Sequence, residues 1–437
     1  MTADRNLLNP SPFRYVGGQL VGEGVALADI ASAVGTPAYV YSQAELLRRA
    51  NAYRDTAATL TPRSLVCYAV KANGNPTLLR LLAAAGLGAD VTSGGELFLA
   101  LHAGFPPDKI IFSGVGKTRA EIEMALTASI RALHVESAME LEVVAETAAS
   151  LGRVASIGVR VNPDVPVDTH AYISTGQRAH KFGVSPEQAL QMIVRAVGHL
   201  WLRPVGLAAH IGSQITELGP FVAAADKLVE LAGELAALGI GLPYIDVGGG
   251  LGIYYGREEA PEPTAWVTAV ARPVVQAGYE VVMEPGRSIV GPAGALVTQV
   301  LYTKTQGDKT FVITDAGMND LIRPALYQAY HPIVPVRQTA EGTQGIEGTG
   351  GSSLSSLSSF PLVDVVGPVC ETGDWLARDR PLPPVRPGDL LAVLQAGAYG
   401  FAMSSNYNGR LRAAEVLVDG GQFRVIRGRQ RLEDLLK

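Results

Sequence analysis

The sequence predicts an α/β protein, in which a parallel (β/α)8 TIM barrel is followed by a mainly antiparallel C-terminal β domain. Between residues 64 and 287, short β-branched runs alternate with Ala- and Leu-rich stretches that have helical spacing. Strands that alternate with helices form a parallel sheet, and eight of them over about 220 residues fit a closed barrel better than an open sheet. After residue 290 the helical spacing fades and extended runs follow one another.

The barrel strands are predicted from eight runs that end at Gly or at polar clusters. These runs are residues 65–70, 89–92, 110–112, 132–135, 156–161, 206–210, 244–247 and 280–284. Four of the intervening segments carry apolar residues at the spacing of a buried helix face: 76–85, 137–151, 186–197 and 221–238. The barrel is therefore expected to span residues 35–290.

The β domain is predicted from the extended runs that follow. They are residues 295–302, 310–314, 361–366, 390–394 and 415–427, and the last contains a Gly-Gly pair typical of a hairpin turn. The first residues are strand-like as well, so the domain is expected to combine residues 1–34 and 291–437. Residues 341–359 are rich in Gly and Ser, which predicts a flexible surface loop.

Composition restricts the classes of partner. The 437 residues include 36 Lys plus Arg and 41 Asp plus Glu, a net charge of −5, and only 18% are charged. This balance argues against nucleic acid or an anionic membrane as the partner. The chain has two Cys residues, a polar start without a cleavage signal, and no apolar run near the 18 or so residues of a membrane span. A cytoplasmic protein is expected.

Polar side chains follow the predicted strands at the end where barrel enzymes place their active sites. Lys71 follows the first strand, and Glu284 is the last residue of the eighth. A triple glycine at 248–250 follows the seventh, and it predicts a nest of backbone N–H groups that binds phosphate, although tight packing is an alternative explanation. An amine, a phosphate nest and a carboxylate together suit one cofactor, pyridoxal 5'-phosphate.

These motifs, taken in order, resemble those of a known family. The matching segments are Tyr68-Ala-Val-Lys71-Ala-Asn73, His210-Ile-Gly-Ser213, Asp246-Val-Gly-Gly-Gly250, Glu284-Pro-Gly-Arg287, Cys370-Glu371 and Gly397-Ala-Tyr399. The set resembles the fold-type III pyridoxal-phosphate decarboxylases, which join an alanine-racemase-like barrel to a β domain. The segment from Asp315 to Tyr327 narrows the resemblance to the diaminopimelate decarboxylases, which make L-lysine and carbon dioxide from meso-diaminopimelate, the last step of lysine biosynthesis.

The resemblance implies roles for individual residues. Lys71 would bind the cofactor covalently, Glu284 would pair with its ring nitrogen, and His210 would stack on its ring. Phosphate would be held by Ser213, Gly249, Gly250, Gly286, Arg287 and Tyr399. Asp90 and Arg160 would position the lysine and the ring, although a structural ion pair is an alternative reading of both.

The resemblance also implies a substrate pocket and a homodimer. A small amino-acid substrate with a distal carboxylate and a distal ammonium would be bound by Arg287, Arg323, Tyr327, Glu371 and Tyr399. Cys370 would come from the partner subunit, complete an active site shared across the interface, and donate a proton to the substrate carbon. Alternatives are another basic amino-acid decarboxylase (ornithine, arginine or carboxynorspermidine), a racemase, or a non-catalytic regulator with this fold.

Overall fold

The computed structural model describes residue 8 and residues 11–166, 181–256, 258–338 and 360–436. The loop predicted at 341–359 lies outside these residues. The chain divides into two compact units. One, here called the β unit, comprises Met1–Leu46, Tyr254–Glu258 and Val290–Lys437, and the other, the barrel unit, comprises Leu47–Ile253 and Glu259–Ile289.

The β unit begins with a small antiparallel sheet and a helix. The sheet contains β1 (Phe13–Val16), β2 (Gln19–Gly22) and β3 (Val25–Ala26), and α1 (Leu27–Val34) follows directly. The next strand, β4 (Ala38–Ser42), is fully buried. The predicted start of the barrel at residue 35 is wrong, because β4 pairs with strands of the β unit and the barrel unit begins at Leu47.

The barrel unit confirms the predicted TIM barrel. Its strands are β5 (Ser64–Ala69), β6 (Gly88–Val91), β7 (Ile110–Phe112), β8 (Ala132–Val135), β9 (Ala155–Arg160), β10 (Leu202–Ala208), β11 (Tyr244–Asp246) and β12 (Glu280–Met283). They are parallel and close through the pairing of β12 with β5. The helices are α2 (Gln43–Leu60), α3 (Pro76–Ala84), α4 (Gly94–Ala103), α5 (Arg119–Ala128), α6 (Ala138–Leu151), α7 (Pro186–Val197), α8 (Gly219–Ala237) and α9 (Pro263–Gln276).

Local sequence explains where the barrel helices begin. Helix α5 starts at a capping box, in which Thr118 and Glu121 each bind the backbone N–H of the other. Helix α7 has the same arrangement at Ser185 and Gln188, followed by Pro186 in the first turn. In each of these two helices the cap side chain therefore accepts one of the N–H groups that the first turn leaves unpaired.

One layer of the barrel interior is built across four neighbouring strands. His134 of β8 pairs in register with Gly158 of β9, which pairs with Gly206 of β10, which pairs with Tyr244 of β11. A Cβ atom on Gly206 would lie 2.4 Å from the Tyr244 ring, and one on Gly158 would lie 2.6 Å from the His134 ring. The two glycines therefore leave the space that the two rings occupy.

The rest of the β unit is mainly antiparallel, as predicted. It contains β13 (Gly294–Gln306), β14 (Lys309–Thr314), β15 (Ile333–Pro335), β16 (Leu362–Val366), β17 (Trp375–Pro381), β18 (Leu390–Val393), β19 (Ala414–Asp419) and β20 (Gln422–Arg427), with the short helix α11 (Arg323–Tyr327). A second short helix, α10 (Arg287–Val290), lies at the end of the barrel unit, and its last residue begins the β unit. The sheet order is β17-β16-β14-β13-β4-β19-β20, and β18 pairs with β13 and β15. Among the described strands of this sheet, the β14–β16 and β4–β19 pairs are parallel and the others are antiparallel.

The predicted hairpin is present between β19 and β20. Gly420 and Gly421 form its turn with φ angles of 54° and 88°. Two consecutive positive φ angles are the requirement of a type I′ turn, which glycine meets without steric cost. In the described part of the chain, no helix is both long enough and apolar enough to span a bilayer.

Candidate active site

Lys71 lies in a 3₁₀ turn immediately after β5, and its amine is held by Asp90 of β6. Lys71 Nζ donates a hydrogen bond to Asp90 Oδ2 at 3.1 Å. The Asp90 side chain is completely buried, whereas the Lys71 side chain is 36% exposed. Asp90 Oδ1 has no hydrogen-bond partner among the described residues. The ion pair therefore holds an accessible amine at the carboxyl end of the barrel.

His210 follows β10 and is held in one tautomer. The backbone N–H of Gly249 donates to His210 Nδ1 at 3.2 Å, so Nδ1 must carry a lone pair. Burial lowers the pKa of His210 well below its ordinary value, and the nearby charges of Lys71 and Arg160 lower it further. The ring is therefore neutral, with its proton on Nε2.

The triple glycine packs closely against neighbouring strand ends. A Cβ atom at Gly248, Gly249 or Gly250 would lie within 2.3 Å of a backbone carbonyl oxygen. The N–H of Gly248 donates to Asp246 Oδ1 at 2.8 Å, and that of Gly249 is bound to His210. The triple glycine therefore serves tight packing, which was the alternative explanation of this motif. Two of its three N–H groups bind protein atoms in this structure.

Arg287 and Ser213 form a donor cluster at the ends of β10 and β12. Arg287 donates to Ser213 Oγ from Nη2 at 2.8 Å and from Nε at 3.3 Å, and the arginine is only 6% exposed. Gly286 precedes it, and a Cβ atom at that position would lie 3.0 Å from the Ala69 side chain. A fixed guanidinium beside a glycine backbone suits an anionic group such as phosphate.

Glu284 is a buried carboxyl surrounded by other polar groups of the barrel. Ser113 Oγ donates to its Oε1 at 3.4 Å, and ligand atoms of His134, Asp246 and Glu284 lie within 4.8 Å of one another. Burial raises the pKa of Glu284 well above its ordinary value, and the charges of Asp246 and Asp90 raise it further. Burial also raises the pKa of Asp246, to about 7. Such a carboxyl suits a cationic partner, which offsets the cost of its ionisation.

Arg160 is paired with a carboxylate other than Asp90. Its Nη1 donates to Glu136 Oε1 at 3.1 Å, and its guanidinium lies 4.9 Å from the centre of the Phe182 ring. Glu136 also accepts the N–H groups of Gly114 at 3.1 Å and Gly183 at 2.9 Å. The structural ion pair considered for this arginine is therefore present and joins the loops after β7, β8 and β9.

Cys370 and Glu371 lie in a loop of the β unit. The Cys370 thiol is exposed, and the Glu371 carboxylate accepts a short hydrogen bond from the Tyr407 hydroxyl. Asp374 holds the loop, because its carboxylate accepts the N–H groups of Val369 and Met318, both at 2.6 Å. The hydrogen bonds of Asp374 thus fix the backbone of the loop that carries the Cys370 thiol and the Glu371 carboxylate.

Arg323 is a buried cation at the start of α11. Its Nη1 donates to the Tyr255 hydroxyl at 2.9 Å and to His331 Nε2 at 2.7 Å. His331 is in turn bound through Nδ1 to the carbonyl oxygen of Leu394 at 2.9 Å, so its proton is on Nδ1. Arg323 is therefore held in one orientation from two sides.

Two tyrosines complete the residues predicted for the site. Tyr327 is the last residue of α11 and is half-buried. Tyr399 has a φ of 57°, in the left-handed region that a residue with a bulky side chain rarely adopts. Such strain persists only where the surrounding structure fixes it, and it concentrates at functional positions.

The predicted residues thus fall into two groups. The structure brings ten of them together at strand ends of the barrel unit: Lys71, Asp90, Arg160, His210, Ser213, Gly249, Gly250, Glu284, Gly286 and Arg287. The other five lie in the β unit: Arg323, Tyr327, Cys370, Glu371 and Tyr399. Sequence reasoning missed the polar residues that support them, among them Ser113, His134, Glu136, Asp374 and Tyr407. The clearest available signal was His134, a single polar residue inside an apolar strand.

The chain is similar in sequence to pyridoxal-dependent decarboxylases. Residues 43–291 match the family described as "Pyridoxal-dependent decarboxylase, pyridoxal binding domain". A diaminopimelate decarboxylase of Aquifex aeolicus (strain VF5) is 46% identical over 97% of this chain and 96% of its own length. Its similarity is not confined to the barrel, because the alignment includes the β unit.

Solved structures of the same family have the same fold. The diaminopimelate decarboxylase of Helicobacter pylori complexed with L-lysine has a TM-score of 0.86 and 41% identity, covering 94% of this chain and 98% of that chain. The enzyme of M. jannaschii in co-complex with L-lysine has a TM-score of 0.89 and 36% identity, covering 97% and 96%. On the identity and coverage of these relatives, the chain belongs to the diaminopimelate decarboxylase family of pyridoxal-dependent decarboxylases.

Proposed function

We propose that this protein decarboxylates meso-2,6-diaminopimelate to L-lysine and carbon dioxide with pyridoxal 5'-phosphate as its cofactor. The observation that carries the proposal is the Lys71–Asp90 pair beside the buried Glu284 carboxyl, at the carboxyl end of a barrel that matches the pyridoxal-binding family. The runner-up functions in the same fold, ornithine or arginine decarboxylation, do not involve a distal carboxylate on the substrate.

The residues at the barrel end fit the cofactor. Lys71 provides the amine for covalent attachment, and Glu284 provides an anion that a protonated ring nitrogen would stabilise. Arg287 and the backbone at Gly250 and Gly286 provide donors for phosphate, with Ser213 orienting the arginine. The neutral His210 ring provides a flat surface that carries no competing charge. Once bound, the cofactor supplies the electron sink for the electrons that carbon dioxide leaves behind.

The β unit provides the residues for the remaining tasks. Glu371 is proposed to bind the distal ammonium of the substrate, with the Tyr407 hydroxyl fixing its carboxylate. Arg287, Arg323 and Tyr327 are proposed for the distal carboxylate, because arginine forks match carboxylate geometry. The exposed Cys370 thiol is proposed to protonate the substrate carbon after carbon dioxide has left.

We further propose that the protein is a cytoplasmic homodimer, in which Cys370 and Glu371 complete the active site of the partner subunit. Support comes from the exposure of the Cys370 thiol, which forms no disulfide within the described residues. Both cysteines are free, as a reducing compartment requires.

A substrate panel tests the function. The purified protein with pyridoxal phosphate is offered meso-diaminopimelate, ornithine, arginine, lysine and carboxynorspermidine, and carbon dioxide release is measured. We expect release from meso-diaminopimelate alone, and decarboxylation of ornithine at a similar kcat/KM would contradict the proposed distal pocket. Borohydride reduction followed by peptide mass analysis should place the cofactor on Lys71, and the Lys71→Ala protein should retain no reducible adduct.

A further inference from the structure

The barrel interior contains a chain of hydrogen bonds that the proposed function leaves unused. His134 Nε2 lies 2.8 Å from the Tyr244 hydroxyl, and His134 Nδ1 lies 3.4 Å from Ser113 Oγ. Ser113 Oγ lies 3.4 Å from Glu284 Oε1. His134 and Tyr244 are each 1% exposed, so these groups are shielded from water. The chain connects the interior layer of the barrel to the carboxyl at its functional end.

The protons in this chain can be assigned a direction. Burial lowers the pKa of His134 to about 3, helped by the charges of Lys117, Arg160 and Arg131, so the ring carries one proton. When Glu284 is ionised, as its pairing with the ring nitrogen requires, the single Ser113 hydroxyl proton goes to Oε1, so the Ser113 oxygen accepts from His134 Nδ1–H. The Tyr244 hydroxyl then donates to His134 Nε2, so the protons of Tyr244, His134 and Ser113 each form one hydrogen bond of the chain.

A second observation favours the same direction. Asp246 Oδ2 lies 4.0 Å from His134 Nδ1, and this buried oxygen has no hydrogen-bond partner among the described residues. If Nδ1 carries the proton, the positive end of its N–H dipole points toward this oxygen, and the interaction is attractive. If Nδ1 carries the lone pair, two negative ends face each other, and the interaction is repulsive. The Asp246 carboxyl therefore stabilises the tautomer that passes a hydrogen bond toward Glu284.

We propose that His134 is a positioning residue for Glu284. Through Ser113 it holds Oε1 of the carboxyl as a hydrogen-bond acceptor, and so fixes the orientation in which the carboxyl would meet the ring nitrogen of the cofactor. The inference rests on the proposed function, because that function assigns Glu284 to the ring nitrogen. Gly158 and Gly206 belong to the same arrangement, since they leave the space in which the two rings meet.

A purely structural role makes a different prediction. If His134 only fills the space above Gly158 and satisfies the Tyr244 hydroxyl, its Nε2 atom matters and its Nδ1 atom does not. Two substitutions separate these roles. Asn places its amide near the position of Nδ1 and loses the contact to Tyr244, whereas Gln extends to the position of Nε2 and loses the contact to Ser113.

The test compares His134→Leu, His134→Asn and His134→Gln as purified proteins loaded with pyridoxal phosphate. We expect Leu and Gln to lower kcat for meso-diaminopimelate about tenfold, the usual effect of one lost hydrogen bond to a charged group, with KM nearly unchanged. Asn should stay within about threefold of the unmodified kcat. The dissociation constant of the cofactor, measured by titrating the apoprotein and following visible absorbance, should weaken for Leu and Gln and recover for Asn. Ile111→Val, in the same buried cluster but outside the chain, controls for altered packing.

Some results would overturn the inference. Rescue by Gln equal to or better than rescue by Asn would assign His134 to packing, as would a Leu variant with unmodified kcat and cofactor affinity. If His134→Leu does not fold, as judged by circular dichroism, Ser113→Ala removes the same link with little change of volume and should show the same losses. Failure of the unmodified protein to bind the cofactor and release carbon dioxide would instead contradict the proposed function.

Discussion

Asp320 shows how a single buried carboxyl makes stability depend on pH. Burial raises its pKa to about 7, although its Oδ2 accepts the Gly317 N–H at 3.1 Å. Because the pKa in the folded state exceeds the value of about 3.9 in an unfolded chain, folding favours the protonated form. The contribution to stability is fully present below pH 4 and is lost as pH rises through 7, by roughly 4 kcal/mol in all.

Asp320→Asn should remove this dependence, because an amide still accepts from Gly317 and does not ionise. The variant should match the unmodified protein in free energy of unfolding near pH 4 and exceed it near pH 8, as measured by urea titration at both values. Asp419→Asn, the same substitution at an exposed aspartate of the same unit, is the matched control. Equal pH dependence in Asp320→Asn and the unmodified protein would contradict the assignment.

Glu371 is the residue on which the choice of substrate is proposed to depend. Glu371→Gln should lower kcat/KM for meso-diaminopimelate by roughly 10² or more, because the distal ammonium loses its counter-charge. The visible absorbance of the bound cofactor should not change. Tyr407→Phe removes only the hydroxyl that binds Glu371, so it should cause a smaller loss of kcat/KM. A Glu371→Gln protein with unmodified kcat/KM would exclude this glutamate from the substrate pocket.

The placement of residues at the barrel end was open to prediction, because parallel strands bring their carboxyl ends to one edge. Lys71, His210 and Glu284 could be assigned to the site from their positions at strand ends alone. Their supporting residues were not predictable in the same way. His134 lies within an apolar run, where a histidine usually satisfies local packing, and its meeting with Tyr244 depends on the register of four strands.

At the scale of elements, identical substitutions at two glycines should have opposite effects. Gly206→Ala in β10 places a Cβ atom 2.4 Å from the Tyr244 ring, so unfolding free energy should fall by about 1–3 kcal/mol. Gly233→Ala lies on the exposed face of α8, where a Cβ atom meets nothing within 4 Å, so stability should rise by about 1 kcal/mol. Urea titration measures the free energy of unfolding of both variants. A lower value for Gly233→Ala would contradict the expected gain from helix propensity in α8.

The barrel strands were predicted to within a few residues because a strand buried on both faces reads as a β-branched run. Three strands of the β unit were missed for identifiable reasons. β4 is followed directly by α2 with no turn residue between them. β15 has only three residues, and β17 lies at the sheet edge and carries charged residues. Their existence depends on partners that are distant in sequence.

At the scale of the whole molecule, mixing two inactive proteins tests whether sites are shared. Lys71→Ala and Cys370→Ala should each be nearly inactive as homodimers. If each site uses Lys71 of one subunit and Cys370 of the other, a mixed dimer has one site with both lesions and one with neither. Random pairing makes half of the dimers mixed, so activity should recover to about a quarter of the unmodified level.

Subunit exchange must be verified separately, by native mass measurement of dimers that carry one tagged subunit. Exchange without recovery of activity would place Cys370 in the site of its own chain or outside the site. A mixture of the Lys71→Ala and Glu371→Gln proteins should recover activity as well. The reason is that Cys370 and Glu371 are both proposed to act in the partner's site.

The position of β4 has a consequence for biosynthesis. This strand is made early, yet it pairs with residues Gly294–Val297 on one side and Ala414–Val418 on the other. The whole barrel is translated in between, and domains generally fold as they emerge, the N-terminal parts first. On a ribosome the barrel can therefore complete its hydrogen bonding while both edges of β4 still await their partners. Unpaired apolar edges are prone to aggregate, so chaperone demand should concentrate on β4 and end only when β19 has been released.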